Sequence, residues 1–226
     1  LEERIVSDNE FSLFSFTDGN ECSHTFPIKD FKRLESGNKG PNTGSMGCIY
    51  DDGTLKYLTP ELINEAENIN HMVIERLNSI GMPFKGVLYG SYIVTNTGNL
   101  KIIEFNCRMG DPEGVMVMNR METDFGLVCK AIAEKTLSNL DINYTKGSKY
   151  AVCKYIVPNT YPLGKNNGFY LELIDNTYCY HGAIKHYKYL NKYEGTSSRT
   201  LVYYATSNES LELAETQANI YFNAMI

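Results

Sequence analysis

Residues 86–106, GVLYGSYIVTNTGNLKIIEFN, constrain the fold more than any other stretch of this 226-residue chain. Two runs rich in β-branched and aromatic residues flank a polar turn at residues 96–99, and this pattern predicts a β-hairpin. Because successive side chains of a strand point to opposite faces, the second strand should direct Ile103 and Phe105 into the core. Glu104 and Asn106 should then lie side by side on the other face, about 6–7 Å apart.

This pair of polar residues could bind a metal ion. Mg²⁺ prefers one or two carboxylate or amide oxygens and keeps its other positions for water and phosphates, so Glu104 and Asn106 suit it. Arg108 continues the same face, where its guanidinium could hold a phosphate or a carboxylate. A solvent-facing strand edge would carry the same residues, and the spacing alone leaves both interpretations open.

Helices are predicted at three places. Thr59 followed by Pro60 and an acid has the residues of a helix start, with a cap and then proline at the first position. Residues 122–137 show helical periodicity, and a last helix is predicted near the C-terminus with a cap at Ser207 or Asn208. The first thirty residues have the alternation of strands, and short strands are expected again after residue 150.

The polar, turn-rich stretch at residues 138–149 is the predicted domain boundary. We therefore expect one domain over residues 1–140 and a small β-rich domain over residues 150–226. Residues 30–46 are polar and glycine-rich, and they are expected to form a long loop whose backbone N–H groups could approach an anion.

Composition excludes several classes of protein. The net charge of −6 argues against general binding to nucleic acid, which needs a basic face. No apolar run approaches the ~20 residues that span a bilayer, and the acidic N-terminus lacks the pattern of a signal peptide, so no membrane association and a cytoplasmic location are expected. The six scattered cysteines contain no C-x-x-C pair, which disfavours a zinc site and a disulfide framework.

Longer strings add a family resemblance. DFKRLESGNKGPNTGSMG, GMPFKGVLYGSYIVTNTGNLKIIEFNCRMGDPE and the tail strings YHGAIKHY and SSRTLVYYATSNESLELA closely resemble the phosphoribosylamine–glycine ligase family of the ATP-grasp superfamily. The resemblance runs essentially from end to end of the chain. It implies an α+β fold: the C-terminal half of an ATP-grasp fold, with an antiparallel sheet and helices, followed by a small β-rich domain.

The resemblance also implies an activity. Members join glycine to 5-phosphoribosylamine in purine synthesis, through a glycyl phosphate, and convert ATP to ADP and phosphate. ATP and Mg²⁺ (or Mn²⁺) are the implied cofactors, and glycine and phosphoribosylamine the implied substrates.

Site residues are carried over position by position. The resemblance assigns the metal to Glu104 and Asn106, and a catalytic role to Glu104 and Arg108. It assigns ATP binding to Glu2, Glu3 and Glu10. It assigns substrate binding to Asp30, Lys32, Asn42, Thr43, Gly44, Asp111, Lys185 and Arg199, with Lys185 and Arg199 facing the substrate phosphate. Two residues depart from the family pattern: Phe31 stands where a histidine is usual, and Ser45 where glycine is more frequent.

The resemblance places a further N-terminal half before Leu1. The chain could therefore be a fragment, one part of a split enzyme with a separate N-terminal polypeptide, or a non-catalytic module that binds a nucleotide or phosphosugar. A sister purine ATP-grasp ligase with another carboxylate substrate is a further alternative.

Overall fold

The structure is a computed structural model that describes residues 3–52, 55–144, 148–164, 169–171, 178–190, 192–196 and 198–223. None of the helices in these ranges combines the length and the apolar character needed to cross a membrane.

Strands and helices alternate irregularly along the described ranges. In chain order they are β1 (Glu10–Thr17), β2 (Cys22–His24), β3 (Lys29–Asp30), β4 (Arg33–Glu35), β5 (Lys39–Asn42), β6 (Gly47–Asp51), α1 (Pro60–Ser79), β7 (Gly86–Val94), β8 (Leu100–Asn106), α2 (Glu113–Arg120), α3 (Phe125–Glu134), β9 (Tyr150–Ile156), β10 (Phe169–Leu171), β11 (Cys179–His181), β12 (Ile184–Tyr187), β13 (Lys192–Gly195), β14 (Leu201–Ser207) and α4 (Leu211–Asn223). Antiparallel sheets with helices agree with the predicted α+β class.

The chain divides into two compact units that are not contiguous in sequence. The first comprises Leu1–Lys29, Asp52–Gly110 and Val117–Lys146, and the second Asp30–Asp51, Asp111–Met116 and Gly147–Ile226. The sequence suggested a single break between residues 140 and 150. Residues 30–51 instead belong to the second unit, because β6 pairs with β9 about a hundred residues further along.

The first unit is built on a four-stranded sheet in the order β2-β1-β7-β8. The predicted hairpin forms as β7 and β8, and β1 pairs with β7 along its whole length. Helix α1 begins as expected: the Thr59 side chain accepts a hydrogen bond from the N–H of Leu62, and Pro60 occupies the first turn.

A buried asparagine joins α1 to this sheet. The Asn70 amide donates to the Leu13 carbonyl (3.2 Å) and to Ser15 Oγ (2.8 Å), and its oxygen accepts from the Tyr92 hydroxyl (2.6 Å). Ser15 Oγ is also 2.7 Å from His24 Nδ1. These hydrogen bonds satisfy polar groups in the core, where an unmade bond would be costly.

The second unit is built on a five-stranded sheet in the order β11-β14-β9-β6-β3. Helix α4 packs on it through a cluster of small residues: Val152, Ala205, Ala214 and Ala218. A three-stranded sheet (β10-β13-β12) and the β4–β5 hairpin complete the described part of this unit.

Two expectations about local structure differ from what is observed. Residues 30–46 are not a simple loop, because β4 and β5 form a hairpin within them; the hairpin is largely exposed, as its polar residues require. The prediction that Ile103 and Phe105 pack in the core is wrong: their side chains are 45% and 37% exposed. β8 is an edge strand. A register shift opposite Ser91 and Tyr92 leaves Ile103 without a paired residue on β7, so its side chain does not follow the regular alternation between the two faces of the sheet.

Candidate functional site

The predicted site residues fall into two sets, one in each unit. The residues assigned to ATP and metal lie in the first unit, with Glu3, Glu10, Glu104, Asn106 and Arg108 described and Glu2 outside the described residues. The residues assigned to the substrates all lie in the second unit: Asp30, Lys32, Asn42, Thr43, Gly44, Asp111, Lys185 and Arg199. The GDPE string is divided between the units after Gly110.

Glu104 and Asn106 lie side by side on one face of β8. The Asn106 amide nitrogen donates to Glu104 Oε1 at 2.9 Å, and Glu104 is exposed while Asn106 is half-buried. Directly opposite residues of paired strands share a face, so Glu104 lies in one row with Ser91 and Ser12. The predicted side-by-side placement of the two oxygen-bearing side chains is therefore confirmed.

The same face continues across the sheet to Glu10. Glu10 is paired with Ile93, and Ile93 with Lys101 of β8. We call the face that carries Glu10, Glu104 and Asn106 the β8 face. Glu3 reaches the same strand, since its carboxylate is 3.3 Å from the Lys101 ammonium. Both of these side chains are exposed, so their ion pair contributes little to stability.

Residues around Glu10 are held by a tyrosine and a lysine. The Tyr57 hydroxyl donates to the backbone carbonyl of Glu10, and burial followed by the Glu10 charge raises the pKa of Tyr57. Lys29 donates to the Asp8 carbonyl (2.8 Å) and lies 5.1 Å from the Tyr57 ring centroid. Burial lowers the pKa of Lys29, and the charges of Asp8 and Glu10 oppose this shift.

Arg108 is exposed, and its Nη1 donates to the carbonyl of Met109 at 2.9 Å. Within the described ranges, no group of three or more histidine, cysteine, aspartate or glutamate side chains is placed to hold a metal ion. The β8 face therefore offers a two-ligand set of one carboxylate and one amide, which matches Mg²⁺ better than a metal that needs a full protein cage.

In the second unit, backbone and side-chain bonds order the segment from Asp30 to Gly44. The Lys32 ammonium is 3.6 Å from Asp30 Oδ2, and the Asp30 side chain is 9% exposed. Thr43 donates twice to the Lys32 carbonyl, from its N–H (2.7 Å) and from Oγ1 (2.8 Å). Asn42 is exposed at the end of β5, where it pairs with Arg33.

Arg199 joins three parts of the second unit. Its Nη1 donates to the carbonyls of Gly44 (2.9 Å) and Asp111 (2.7 Å), and its Nη2 is 3.1 Å from Asp111 Oδ2. A Cβ at Gly44 would lie 3.2 Å from Arg199 Cζ, so a side chain at this position would crowd the guanidinium. The structure thus brings together three of the predicted substrate residues.

Two tyrosines that the sequence did not single out belong to the same group. The Tyr155 hydroxyl donates to Asp111 Oδ1, and the Tyr155 ring centroid is 5.0 Å from Arg199 Cζ. The Tyr161 hydroxyl accepts from the N–H of Gly44 at 3.2 Å. We call Arg199, Asp111, Gly44, Tyr155 and Tyr161 the Arg199 cluster. Burial raises the pKa of Tyr155, and the hydrogen bond to Asp111 and the Asp111 charge add to it, while Arg199 opposes it.

Lys185 is exposed on β12, opposite Glu194. The strand begins beside Arg199, because the N–H of Ala183 donates to the Arg199 carbonyl at 2.7 Å. No sequence signal pointed to Tyr155 or Tyr161, since each is one tyrosine among seventeen and joins its partners over long sequence distances.

Comparisons with known proteins identify relatives of the chain. The family model described as phosphoribosylglycinamide synthetase, ATP-grasp (A) domain, matches residues 1–114. The phosphoribosylamine–glycine ligase of Methanosarcina barkeri is 37% identical over 205 residues, which cover 89% of this chain and 46% of that protein. The phosphoribosylamine–glycine ligase of Methanocella arvoryzae is 33% identical over 215 residues, covering 94% of this chain and 46% of that protein.

A solved structure shows the same fold. The crystal structure of phosphoribosylamine–glycine ligase from Thermotoga maritima matches with a TM-score of 0.79 at 22% sequence identity, over 100% of this chain and 54% of that one. The chain therefore spans about half the length of the curated relatives and of the solved structure that it matches.

Proposed function

The chain belongs to the phosphoribosylglycinamide synthetase family, and from this premise we propose that it forms part of an ATP-dependent ligase that joins glycine to 5-phosphoribosylamine. The products are glycinamide ribonucleotide, ADP and phosphate. The observation that carries this proposal is the match of the family model over residues 1–114, which include the Glu104–Asn106 pair.

The β8 face is the proposed site for ATP and its metal ion. Glu104 and Asn106 would hold Mg²⁺ or Mn²⁺, which when bound neutralises charge on the phosphate oxygens. The pair fits such an ion because Glu104 carries a carboxylate and Asn106 an amide oxygen, side by side on β8, where Glu104 is exposed and Asn106 half-buried. Rotation of the Asn106 amide would exchange the N–H that now contacts Glu104 for the oxygen. Glu3 and Glu10, and Glu2 outside the described residues, are the proposed contacts to the nucleotide.

Arg108 is proposed to stabilise negative charge during the transfer. Phosphoryl transfer depends on positioning and on charge stabilisation more than on covalent help from the protein. An exposed guanidinium two residues beyond Asn106 can face either the transferred phosphate or the glycine carboxylate. The glycyl phosphate formed in this way would then be attacked by the amine of phosphoribosylamine.

The second unit is proposed to bind the substrates. Asp30, Lys32, Asn42, Thr43 and Gly44 lie on a segment ordered by the Thr43–Lys32 bonds, and Gly44 and Asp111 both contact Arg199. Because the chain spans about half the length of its relatives, we propose that the remaining half is supplied on the same polypeptide or on a separate N-terminal one.

An ADP-release assay tests the proposed function. The chain is assayed alone and as the complemented enzyme, which is this chain together with the remaining half of the ligase on one polypeptide or two. We expect ADP release that requires both glycine and phosphoribosylamine. Release only with a second polypeptide would indicate a split enzyme. Release dependent on a different carboxylate would indicate a sister ligase, and no release in any combination would support a non-catalytic binding module.

A further inference from the structure

Three of the five N–H groups of the Arg199 guanidinium are used within the protein. Both N–H groups of Nη1 are used by backbone carbonyls, those of Gly44 and Asp111, and Nη2 faces Asp111 Oδ2. The Arg199 side chain is 20% exposed, so little of its surface is open to a ligand. A substrate phosphate that bound Arg199 through Nη1 and Nη2 together would have to displace these partners, which leaves the Nε–H and the second Nη2 N–H as the remaining donors.

The Asp111 carboxylate, in contrast, is oriented and accessible. One oxygen accepts from the Tyr155 hydroxyl and the other faces Arg199 Nη2, yet the side chain is 54% exposed. Each carboxylate oxygen can accept two hydrogen bonds, which leaves accepting capacity on both oxygens. An oriented carboxylate with open acceptor positions is complementary to N–H and O–H groups rather than to an anion.

Tyr155 holds this arrangement from the buried side. The residue is 7% exposed, its ring lies against the guanidinium, and its hydroxyl fixes the rotation of the Asp111 carboxylate. It therefore contacts both charged members of the Arg199 cluster while facing away from solvent.

We propose that Tyr155 is a positioning residue which, together with Arg199, fixes Asp111 as the acceptor for amino or hydroxyl groups of a phosphorylated aminosugar. In this proposal Arg199 acts through Asp111 and the Gly44 carbonyl, whereas the family resemblance suggested direct contact with the substrate phosphate. The identity of the sugar rests on the proposed function, whereas the geometry of the cluster does not.

Calorimetric titration of this chain with ribose 5-phosphate, without ATP or glycine, tests the proposal. Tyr155→Phe keeps the ring and removes the hydroxyl, and Tyr189→Phe makes the same change at a fully exposed tyrosine of the same unit. We expect Tyr155→Phe to weaken binding about 10-fold, as the loss of a hydrogen bond to a charged group does, and Tyr189→Phe to leave it unchanged.

A double-mutant cycle separates positioning from general destabilisation. In an Asp111→Asn background, Tyr155→Phe should cause no further loss of ribose 5-phosphate affinity, because its effect passes through the Asp111 carboxylate. A merely structural role would lower the unfolding midpoint and would weaken binding equally in both backgrounds. Unchanged affinity of Tyr155→Phe, additive losses, or no binding of ribose 5-phosphate by the unaltered chain would each overturn the proposal.

Competition by inorganic phosphate tests the role of Arg199. Arg199→Lys keeps the charge but loses the planar fork. We expect the affinity for ribose 5-phosphate to fall about 10-fold. The affinity for inorganic phosphate, measured by competition, should change by less than about 2-fold. Equal losses for both ligands would show that Arg199 binds the phosphate directly. Since these titrations need no turnover, a failed ligase assay would count against the proposed function and leave this inference standing.

Discussion

Ser45 Oγ bonds to both backbone groups of Gly47, donating to its carbonyl and accepting from its N–H, each at 3.1 Å. Ser45 is fully buried and has a φ of +138°, in the region that favours glycine. The family resemblance expects glycine here, and the structure explains why serine is tolerated: the two hydrogen bonds offset the strain of the backbone.

Ser45→Ala should therefore be the most damaging small substitution at this position. It keeps the strained φ and removes the hydroxyl that bonds to both Gly47 groups, so we expect a loss of roughly 1–3 kcal/mol in the free energy of unfolding. The Gly47 carbonyl keeps its bond from the N–H of Phe31. Ser45→Gly relieves the strain as it removes the bonds and should stay within about 1 kcal/mol of the unaltered chain. Urea denaturation measures both, and equal losses for the two variants would contradict this explanation.

The buried Asn70 network should matter more to stability than other polar residues of α1. Asn70→Ala removes the hydrogen bonds to Leu13, Ser15 and Tyr92, and we expect a loss of roughly 2–4 kcal/mol. Ser15 keeps its contact with His24, and Tyr92 keeps its bond to the Ala66 carbonyl. Asn68→Ala, on the exposed side of the same helix, should change stability by less than about 0.5 kcal/mol. Comparison of the two denaturation curves checks this, and similar shifts would show that the network contributes little.

Because β8 is an edge strand, substitutions of Ile103 should change stability little, although the sequence alone predicted that this residue lies in the core. Ile103→Thr should cost less than about 1 kcal/mol because Ile103 is 45% exposed, whereas Leu88→Ala at a 3% exposed position of β7 should cost about 2–5 kcal/mol. Thermal unfolding of both variants distinguishes them. A large loss of stability in Ile103→Thr would show that the Ile103 side chain packs in the core.

The pH dependence of stability should carry a contribution from His24. Burial, and secondarily the charge of His71, lowers the pKa of His24 to about 4, against about 6.5 in the unfolded chain. At a pH between these two pKa values, His24 is protonated in the unfolded state and neutral in the folded state. Stability is therefore complete above about pH 6.5 and is lost as the pH falls towards about 4, by roughly 1–3 kcal/mol.

His24→Gln removes this titration and should flatten the slope of unfolding free energy against pH between about 4 and 6.5. His186→Gln, at an exposed position in β12, is the matched control for the loss of an imidazole. Chemical denaturation at a series of pH values gives the slopes. An unchanged slope in His24→Gln would assign the pH dependence to other groups.

Local sequence signals predicted the elements that local physics determines. The cap and proline at Thr59 and Pro60 located the start of α1, and alternating residues around a polar turn located the β7–β8 hairpin. The short helix α2 was missed, since Gly114 in its first turn has low helix propensity and the preceding GDPE string has the composition of a turn.

Long-range relationships could not be predicted in this way. The pairing of β6 with β9 assigns residues 30–51 to the second unit, and no local pattern encodes that partner. The Arg199 cluster likewise gathers residues 44, 111, 155, 161 and 199, so the family resemblance reached three of them and neither tyrosine. The position of Ile103 depended on a register shift that is visible only once the strands are paired.

In the proposed function, Glu104 holds the metal ion of an ATP-dependent ligase. Glu104→Gln in the complemented enzyme keeps the size of the side chain and removes its charge, and Glu65→Gln on the exposed side of α1 is the control. The measurement is glycine- and phosphoribosylamine-dependent ADP release, with the unfolding midpoint followed in parallel. We expect a loss of roughly 100-fold or more for Glu104→Gln with an unchanged midpoint, and full turnover for Glu65→Gln. Unchanged turnover in Glu104→Gln would show that Glu104 does not hold the metal ion.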